Sequence, residues 1–232
     1  YRADYLLEPS SNEEPGWQVS TVSENGPFDI ESISISNGPD DHPAIAFRNS
    51  PASSLRFASY TGNEWQIETV ANDGRYNHSM HDPEGRPVIS YAAGVSLQFA
   101  RYDGSEWTTD TLDSGMRGPS SISYGPNGLP VVAYMDLPSW LAVARYDGSE
   151  WTTEVIDTDG DVGFNSSIAH GTNGQPAISY LEYRGRDSNL RYAEFDGEAW
   201  EITVVDTEGD SGGFSSLAFD PSGRPSIAYF QN

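Results

Sequence analysis

The ten residues Ala100-Arg101-Tyr102-Asp103-Gly104-Ser105-Glu106-Trp107-Thr108-Thr109 recur letter for letter as Ala144-Arg145-Tyr146-Asp147-Gly148-Ser149-Glu150-Trp151-Thr152-Thr153. Weaker copies run from Phe57 to Trp65 and from Tyr192 to Trp200. Each copy alternates apolar residues into an Asp-Gly or Thr-Gly pair and resumes with a Trp-led run, the signature of a hairpin with a tight turn. One such hairpin cannot bury its apolar face. Stacked copies can, so the repeat restricts the chain to architectures built from stacked units.

The period is marked by Trp17, Trp65, Trp107, Trp151 and Trp200, spaced 48, 42, 44 and 49 residues apart. Each interval carries four phrases. A Trp-led strand comes first, then a Gly/Asp-rich loop and a short strand of small residues such as Ser166-Ser167-Ile168-Ala169. A Gly-x-Pro turn leads to an apolar strand ending in an aromatic (Pro43 to Phe47, Pro87 to Tyr91, Pro130 to Tyr134, Pro176 to Tyr180, Pro225 to Tyr229). A variable loop then returns to the hairpin. Four strands in about 45 residues is the length of a β-propeller blade. Small side chains suit the strand nearest the crowded axis, and the Trp strand belongs outermost. The chain stops two strands into a fifth blade, while Arg2-Ala3-Asp4-Tyr5 aligns with Phe57 to Tyr60 and is followed by the Trp17 strand. The expectation is therefore all-β: one domain over residues 1–232, a five-bladed β-propeller with four antiparallel strands per blade. Its last blade joins about 212–232 to 1–22, which removes free sheet edges.

The phrases Gly-x-Pro-x-Ile-x-Tyr and Leu-x-Tyr-Ala-x-Tyr-Asp-Gly-x-x-Trp resemble the blade repeat of bacterial β-propellers, over essentially the whole chain. Five blades resemble the tachylectin-type sugar-binding propellers and the five-bladed glycosidases. The Asp-Gly-Ser-Glu-Trp turn resembles the sialidase Asp-box, but the Ser-x-Asp-x-Gly-x-x-Trp order is not met. The resemblance implies an architecture and assigns no catalytic residue.

Composition removes several function classes. Thirty-five acidic residues face twelve basic ones, all Arg, for a net charge of −23. Such a surface repels nucleic-acid phosphates and anionic lipid. No run approaches the ~20 apolar residues of a membrane-spanning helix. Cysteine is absent, which excludes disulfides, thiolate metal sites and a cysteine nucleophile. The acidity fits a secreted protein, extracellular or periplasmic.

Strand direction places the Gly-x-Pro and Asp-Gly turns at one end, called here the turn end. The variable loops, where function usually sits on a rigid scaffold, lie at the other, the loop end. The positions after the repeated aromatic differ between blades: Arg48-Asn49, Ala92-Ala93, Met135-Asp136, Leu181-Glu182 and Phe230-Gln231. Trp140 is the one Trp outside the repeat, and Tyr183 and Arg184 stand in the matching loop of the next blade. Aromatic faces beside carboxylates, amides and guanidinium are what a sugar requires. These residues predict a non-catalytic, lectin-like module for a glycan or other small neutral or cationic ligand, bound by Arg48, Asn49, Asp136, Trp140, Glu182, Tyr183, Arg184 and Gln231. A glycoside-processing enzyme is the alternative, with Asp29, Glu31, Asp136 and Glu182 as carboxylates at the channel mouth. A scaffold for protein partners is a third. No cofactor is required. Calcium is the ion that two near-copied loops suit, through Asp157, Asp159 and Asp161 and through Asp206, Glu208 and Asp210. Of the four His, His81 and His170 share one repeat position with Tyr124 and Phe219, which reads as a packing position.

Overall fold

Residues 2–6, 17–22, 32–49, 52–185 and 187–231 are described by a computed structural model, and every regular element among them is a β-strand. Four antiparallel sheets follow one another. The first is β3 (Ile33–Asn37), β4 (Pro43–Asn49), β5 (Ser54–Tyr60) and β6 (Trp65–Ala71). The second is β7 (Arg75–His81), β8 (Pro87–Ala93), β9 (Ser96–Tyr102) and β10 (Trp107–Asp113). The third is β11 (Ser121–Tyr124), β12 (Pro130–Asp136), β13 (Trp140–Tyr146) and β14 (Trp151–Asp157). The fourth is β15 (Asp161–His170), β16 (Pro176–Arg184), β17 (Asp187–Phe195) and β18 (Trp200–Asp206). Spatial order equals chain order in each, so each sheet is a meander. Two hairpins complete the set: β1 (Arg2–Leu6) with β2 (Trp17–Thr21), and β19 (Ser211–Phe219) with β20 (Pro225–Gln231).

The turns follow from their residues. Asp103 Oδ1 accepts the N–H groups of Ser105 and Glu106 at 2.8 and 2.9 Å, and Asp147 repeats this at 2.7 and 2.9 Å. The glycine that follows each Asp sits at φ 103° and 102°, a left-handed conformation that a side chain disfavours.

Packing runs between sheets. Val88, Leu97 and Phe99 of the second sheet form one cluster with Met116, Ile122, Val132 and Tyr134 of the third. The indoles cross the same gaps: Trp107 lies edge-on to Phe57 at 5.3 Å, and Trp151 reaches Phe99 at 4.9 Å.

The first strands β3, β7, β11, β15 and β19 lie side by side in succession. They are joined by one repeated hydrogen bond. Ser34 Oγ accepts the Ser79 N–H at 2.9 Å, Ser121 Oγ that of Ile168 at 3.2 Å, and Ser167 Oγ that of Leu217 at 3.1 Å. Between the second and third sheets His78 Nδ1 takes the role, accepting the Ile122 N–H at 3.2 Å. These N–H groups point away from their own sheets, so without the neighbour's side chain each would be a buried unpaired donor.

The two ends of the series differ from its middle. Ser79, Ile122, Ile168 and Leu217 are at most 6% exposed, but Ile35, at the same repeat position, is 60% exposed. Tyr134 and Tyr180 are fully buried, whereas Tyr229 is 37% exposed. β2 packs on the first sheet: Trp65 Nε1 donates to Ser20 Oγ at 3.1 Å, and Val22 joins the cluster of Ile45, Phe47 and Ala58. Among the described residues β1–β2 and β19–β20 remain separate two-stranded ladders. The expected pairing of Arg2 to Tyr5 and the Trp17 strand with the sheet from Ser215 to Tyr229 is not among the ladders of the described residues.

Ser121→Ala deletes an acceptor that nothing else on β11 replaces. Leaving the Ile168 N–H unpaired should cost about 1–3 kcal/mol in chemical denaturation. Ser123→Ala, whose hydroxyl pairs with the His170 side chain instead of a backbone N–H, should cost less.

Candidate functional site

At the loop end, three second-strand tyrosines, Tyr134, Tyr180 and Tyr229, reach the Asp that closes the preceding sheet's outer strand, while Tyr91 faces the outer strand that ends in Ala71. Tyr180 OH donates to Asp157 Oδ2 at 2.7 Å and Tyr229 OH to Asp206 Oδ2 at 2.6 Å; Tyr134 OH makes the same bond to Asp113. The other oxygen of each Asp starts a turn, Asp157 accepting from Asp159 N–H and Asp206 from Glu208 N–H, both at 2.9 Å. The near-copied acidic loops are therefore clamps between sheets. Their first carboxylate is engaged, and Asp159, Asp161, Glu208 and Asp210 are exposed. Among the described residues no three His, Asp or Glu are grouped to hold a metal ion.

Between the third and fourth sheets the clamp grows into a buried ionic network. Arg191, opposite Tyr180 in the ladder, donates to Asp157 Oδ2 at 2.8 Å, Asp159 Oδ2 at 2.8 Å and Glu182 Oε1 at 2.6 Å. Glu182 is fully buried and also receives Asn189 Nδ2 at 2.8 Å and Arg184 Nη2 at 2.5 Å. Burial pushes the Glu182 carboxyl up, but the bonds from Arg184, Asn189 and Arg191 outweigh it and hold the group below the usual range. Glu182 thus carries charge away from solvent and keeps Arg184 in place, with Arg184 53% exposed on the surface.

Between the second and third sheets the same positions hold different chemistry. Ala142, opposite Tyr134, stands where Arg191 does. Among the described residues no cation enters between Asp113 and Asp136, and burial together with the Asp113 charge raises the Asp136 carboxyl above its usual range. Directly across the ladder from Asp136 is Trp140, the first residue of β13 and half-buried. The hairpin turn between them is Leu137-Pro138-Ser139, with a cis bond before Pro138. Carboxylate and indole thus share one strand end.

The remaining candidates divide. Arg48 is buried and donates to Ser53 Oγ at 2.8 Å, and Asn49 beside it is half-buried. Tyr183 is 48% exposed, with its ring 6.4 Å from Phe164. Gln231 is exposed and donates to the Glu208 carbonyl at 2.8 Å. Asp29 and Glu31 lie outside the described residues.

At the turn end, cavities of ≈ 360, 210 and 140 Å³ occupy successive junctions between sheets. In the sequence the repeated turns at this end read as scaffold. The available signal was a substitution inside the repeat: Ser59 stands where the two identical decapeptides carry Arg101 and Arg145.

No protein-family model matches the sequence, and no curated protein matches it. Solved structures do match the fold. The Aleuria aurantia lectin in complex with Fucα1-6GlcNAc superposes with a TM-score of 0.65 at 14% identity, over 88% of this chain and 72% of that one. A protein of unknown function from Dyadobacter fermentans gives 0.62 at 16%, over 94% and 77%. The Penicillium chrysogenum α-L-arabinanase complexed with arabinobiose gives 0.61 at 12%, over 88% and 76%. Together with the repeated four-stranded sheets, these likenesses define the class by its fold: an all-β, β-propeller-like architecture, shared by a lectin and an arabinanase alike.

Two measurements follow from the side-chain chemistry. Arg191→Leu leaves Asp157 buried without its cation and Glu182 with Arg184 alone, and should cost about 3–5 kcal/mol; adding Glu182→Leu should recover part of that loss. Burial, reinforced by Arg145, holds His170 down to about 4. The unfolded chain binds that proton near its ordinary value of about 6.5, so stability should fall as pH drops from there toward 4. His170→Gln should flatten this part of the pH–stability curve; an unchanged slope would contradict the assignment.

Proposed function

We propose that the protein is a closed five-bladed propeller that binds a glycan at its loop end without acting on it. The observation that carries this reading is Trp140 directly opposite Asp136, at a clamp where, among the described residues, no guanidinium neutralises the Asp113–Asp136 pair. An indole gives a flat apolar face for sugar C–H groups, and the carboxylate accepts from hydroxyls or an amino group. Tyr183 and Arg184, exposed on the next sheet, extend the surface. The ligand class is a neutral or cationic saccharide, since further carboxylates surround the site. The lectin among the similar folds supports a binding role, and the acidic surface suits an extracellular or periplasmic setting.

Closure is supported by the residues left exposed at the two ends of the series. In the inner contacts, a side chain of one first strand meets the N–H one position further along in the next. The fifth contact of that kind is Ser216 Oγ accepting the Ile35 N–H. It would bury Ile35, Tyr229 and Phe214, with β1–β2 completing the β19–β20 sheet. Deleting residues 1–22 should then lower the melting temperature sharply or cause aggregation.

A glycan array of neutral and amino sugars tests the binding role. Trp140→Ala should weaken the strongest hit by about 1–3 kcal/mol while leaving the melting temperature in place. Binding unchanged in that variant places the site elsewhere; binding to no sugar removes the reading. Calcium and magnesium at matched ionic strength are expected to stabilise equally, by screening alone. A calcium-only gain would assign an ion to Asp159 and Asp161 or to Glu208 and Asp210. The enzyme reading keeps one favouring observation, the Asp113–Asp136 pair with its raised carboxyl. It predicts hydrolysis of an array hit that Asp136→Asn abolishes.

A further inference from the structure

At the turn end, the residue opposite the position after the turn proline is Ser59 in the first sheet, Arg101 in the second, Arg145 in the third and Glu194 in the fourth. In the second and third sheets the guanidinium crosses the junction and lies on aromatic rings. Arg101 Cζ is 5.6 Å from the centroid of Phe99 in its own sheet and 5.6 Å from that of Tyr146 in the next. Arg145 Cζ is 4.5 Å from Phe195 and 5.2 Å from Trp200, both in the following sheet. Such stacking is the ordinary cation–π attraction, strengthened by partial burial. Each arm fills space at its own junction.

The first junction lacks the arm. Ser59 is too short to cross, and the cavity there, ≈ 360 Å³, exceeds the ≈ 210 and ≈ 140 Å³ of the two junctions that hold arginine. Phe57 and Tyr102 hold the ring positions that Phe99 and Tyr146 hold one junction later. The cavity is lined by Asp40, His42, Ser59, Tyr60, Thr61 and His81. Asp40 supplies the one formal charge in this lining. Burial lowers the proton affinity of His81, leaving its imidazole an acceptor and an aromatic face at neutral pH. His42 stands edge-on to Tyr60 at 5.8 Å. The walls are therefore aromatic and acceptor-rich, with a single carboxylate, in a chain of net charge −23.

We propose that this cavity binds a guanidinium group supplied from outside, as an arginine side chain of a partner peptide presents it, in the place that Arg101 and Arg145 fill at the next two junctions. Guanidinium suits the cavity better than ammonium because it is planar, weakly hydrated and stacks on rings. The site lies at the opposite end from the proposed glycan surface and does not depend on it.

The probe is N-acetyl-L-arginine amide, titrated into the whole protein while the imidazole resonances of His42 and His81 are followed by NMR. Saturable shifts at both rings are expected, with N-acetyl-L-lysine amide binding at least several-fold more weakly. Ser59→Arg restores the repeat arm within the chain and should abolish the shifts while raising the melting temperature. Trp140→Ala, at the opposite end of the fold, should leave these shifts unchanged. Should Ser59→Arg not fold, His42→Ala takes its place and should weaken binding at least several-fold. An arginine probe that gives no saturable shift would falsify the proposal. So would equal binding by Ser59→Arg, or occupation of the cavity by a neutral methyl glycoside in preference to arginine. An arginine-bearing peptide that binds more tightly than the free amide identifies a protein partner; equal affinity identifies free arginine as the source.

Discussion

The structure depends on the hydrogen bond from one first strand to the side chain of its neighbour. Strands nearest a propeller axis have no continuing ladder on their inner side, so their outward N–H groups need another acceptor. Ser34, Ser121 and Ser167 supply it with a hydroxyl short enough to fit, and His78 does so at one junction with an imidazole nitrogen. The bond fixes the vertical register between sheets. Once register is fixed, the indoles of Trp107 and Trp151 meet the rings of the preceding sheet, and Tyr134, Tyr180 and Tyr229 meet the closing aspartates.

That fixed frame allows chemistry to vary at single positions without disturbing the whole. The position opposite the second-strand Tyr is Arg191 in one sheet and Ala142 in another. The first makes a buried network in which every charge is opposed. The second leaves two carboxylates facing each other beside an indole. At the turn end, Arg101 and Arg145 fill their junctions where Ser59 leaves one open. Both candidate sites thus arise in the same manner, by removal of an arginine from a position where the repeat elsewhere supplies one.

The strands, their order and the tight turns were legible in the sequence because their causes are local. Asp-Gly specifies its turn through the Asp carboxylate and the glycine φ, whatever surrounds it. The serines of the first strands were legible as small residues but not as acceptors, since their partners lie 45 to 50 residues away. Glu182 read as an acid at the channel mouth. It is buried because hairpin register brings Asn189 opposite it and lets Arg191, nine residues on, reach its Oε1. Asp157 has a similar non-local partner in Tyr180. Patterning discloses which residues share a face. It does not disclose which of them find each other across a junction.

Amide hydrogen exchange tests the central claim, that a single repeated bond joins the sheets at the four described junctions, together with the proposed fifth. The N–H groups of Ser79, Ile122, Ile168 and Leu217 accept protection from the neighbouring sheet in every case. If the ring closes by the same bond, the Ile35 N–H should be protected to the same degree, and Ser216→Ala should remove that protection selectively. Rapid exchange at Ile35 in the unmodified protein, with the other four amides protected, would contradict closure and leave the propeller open between its first and last sheets.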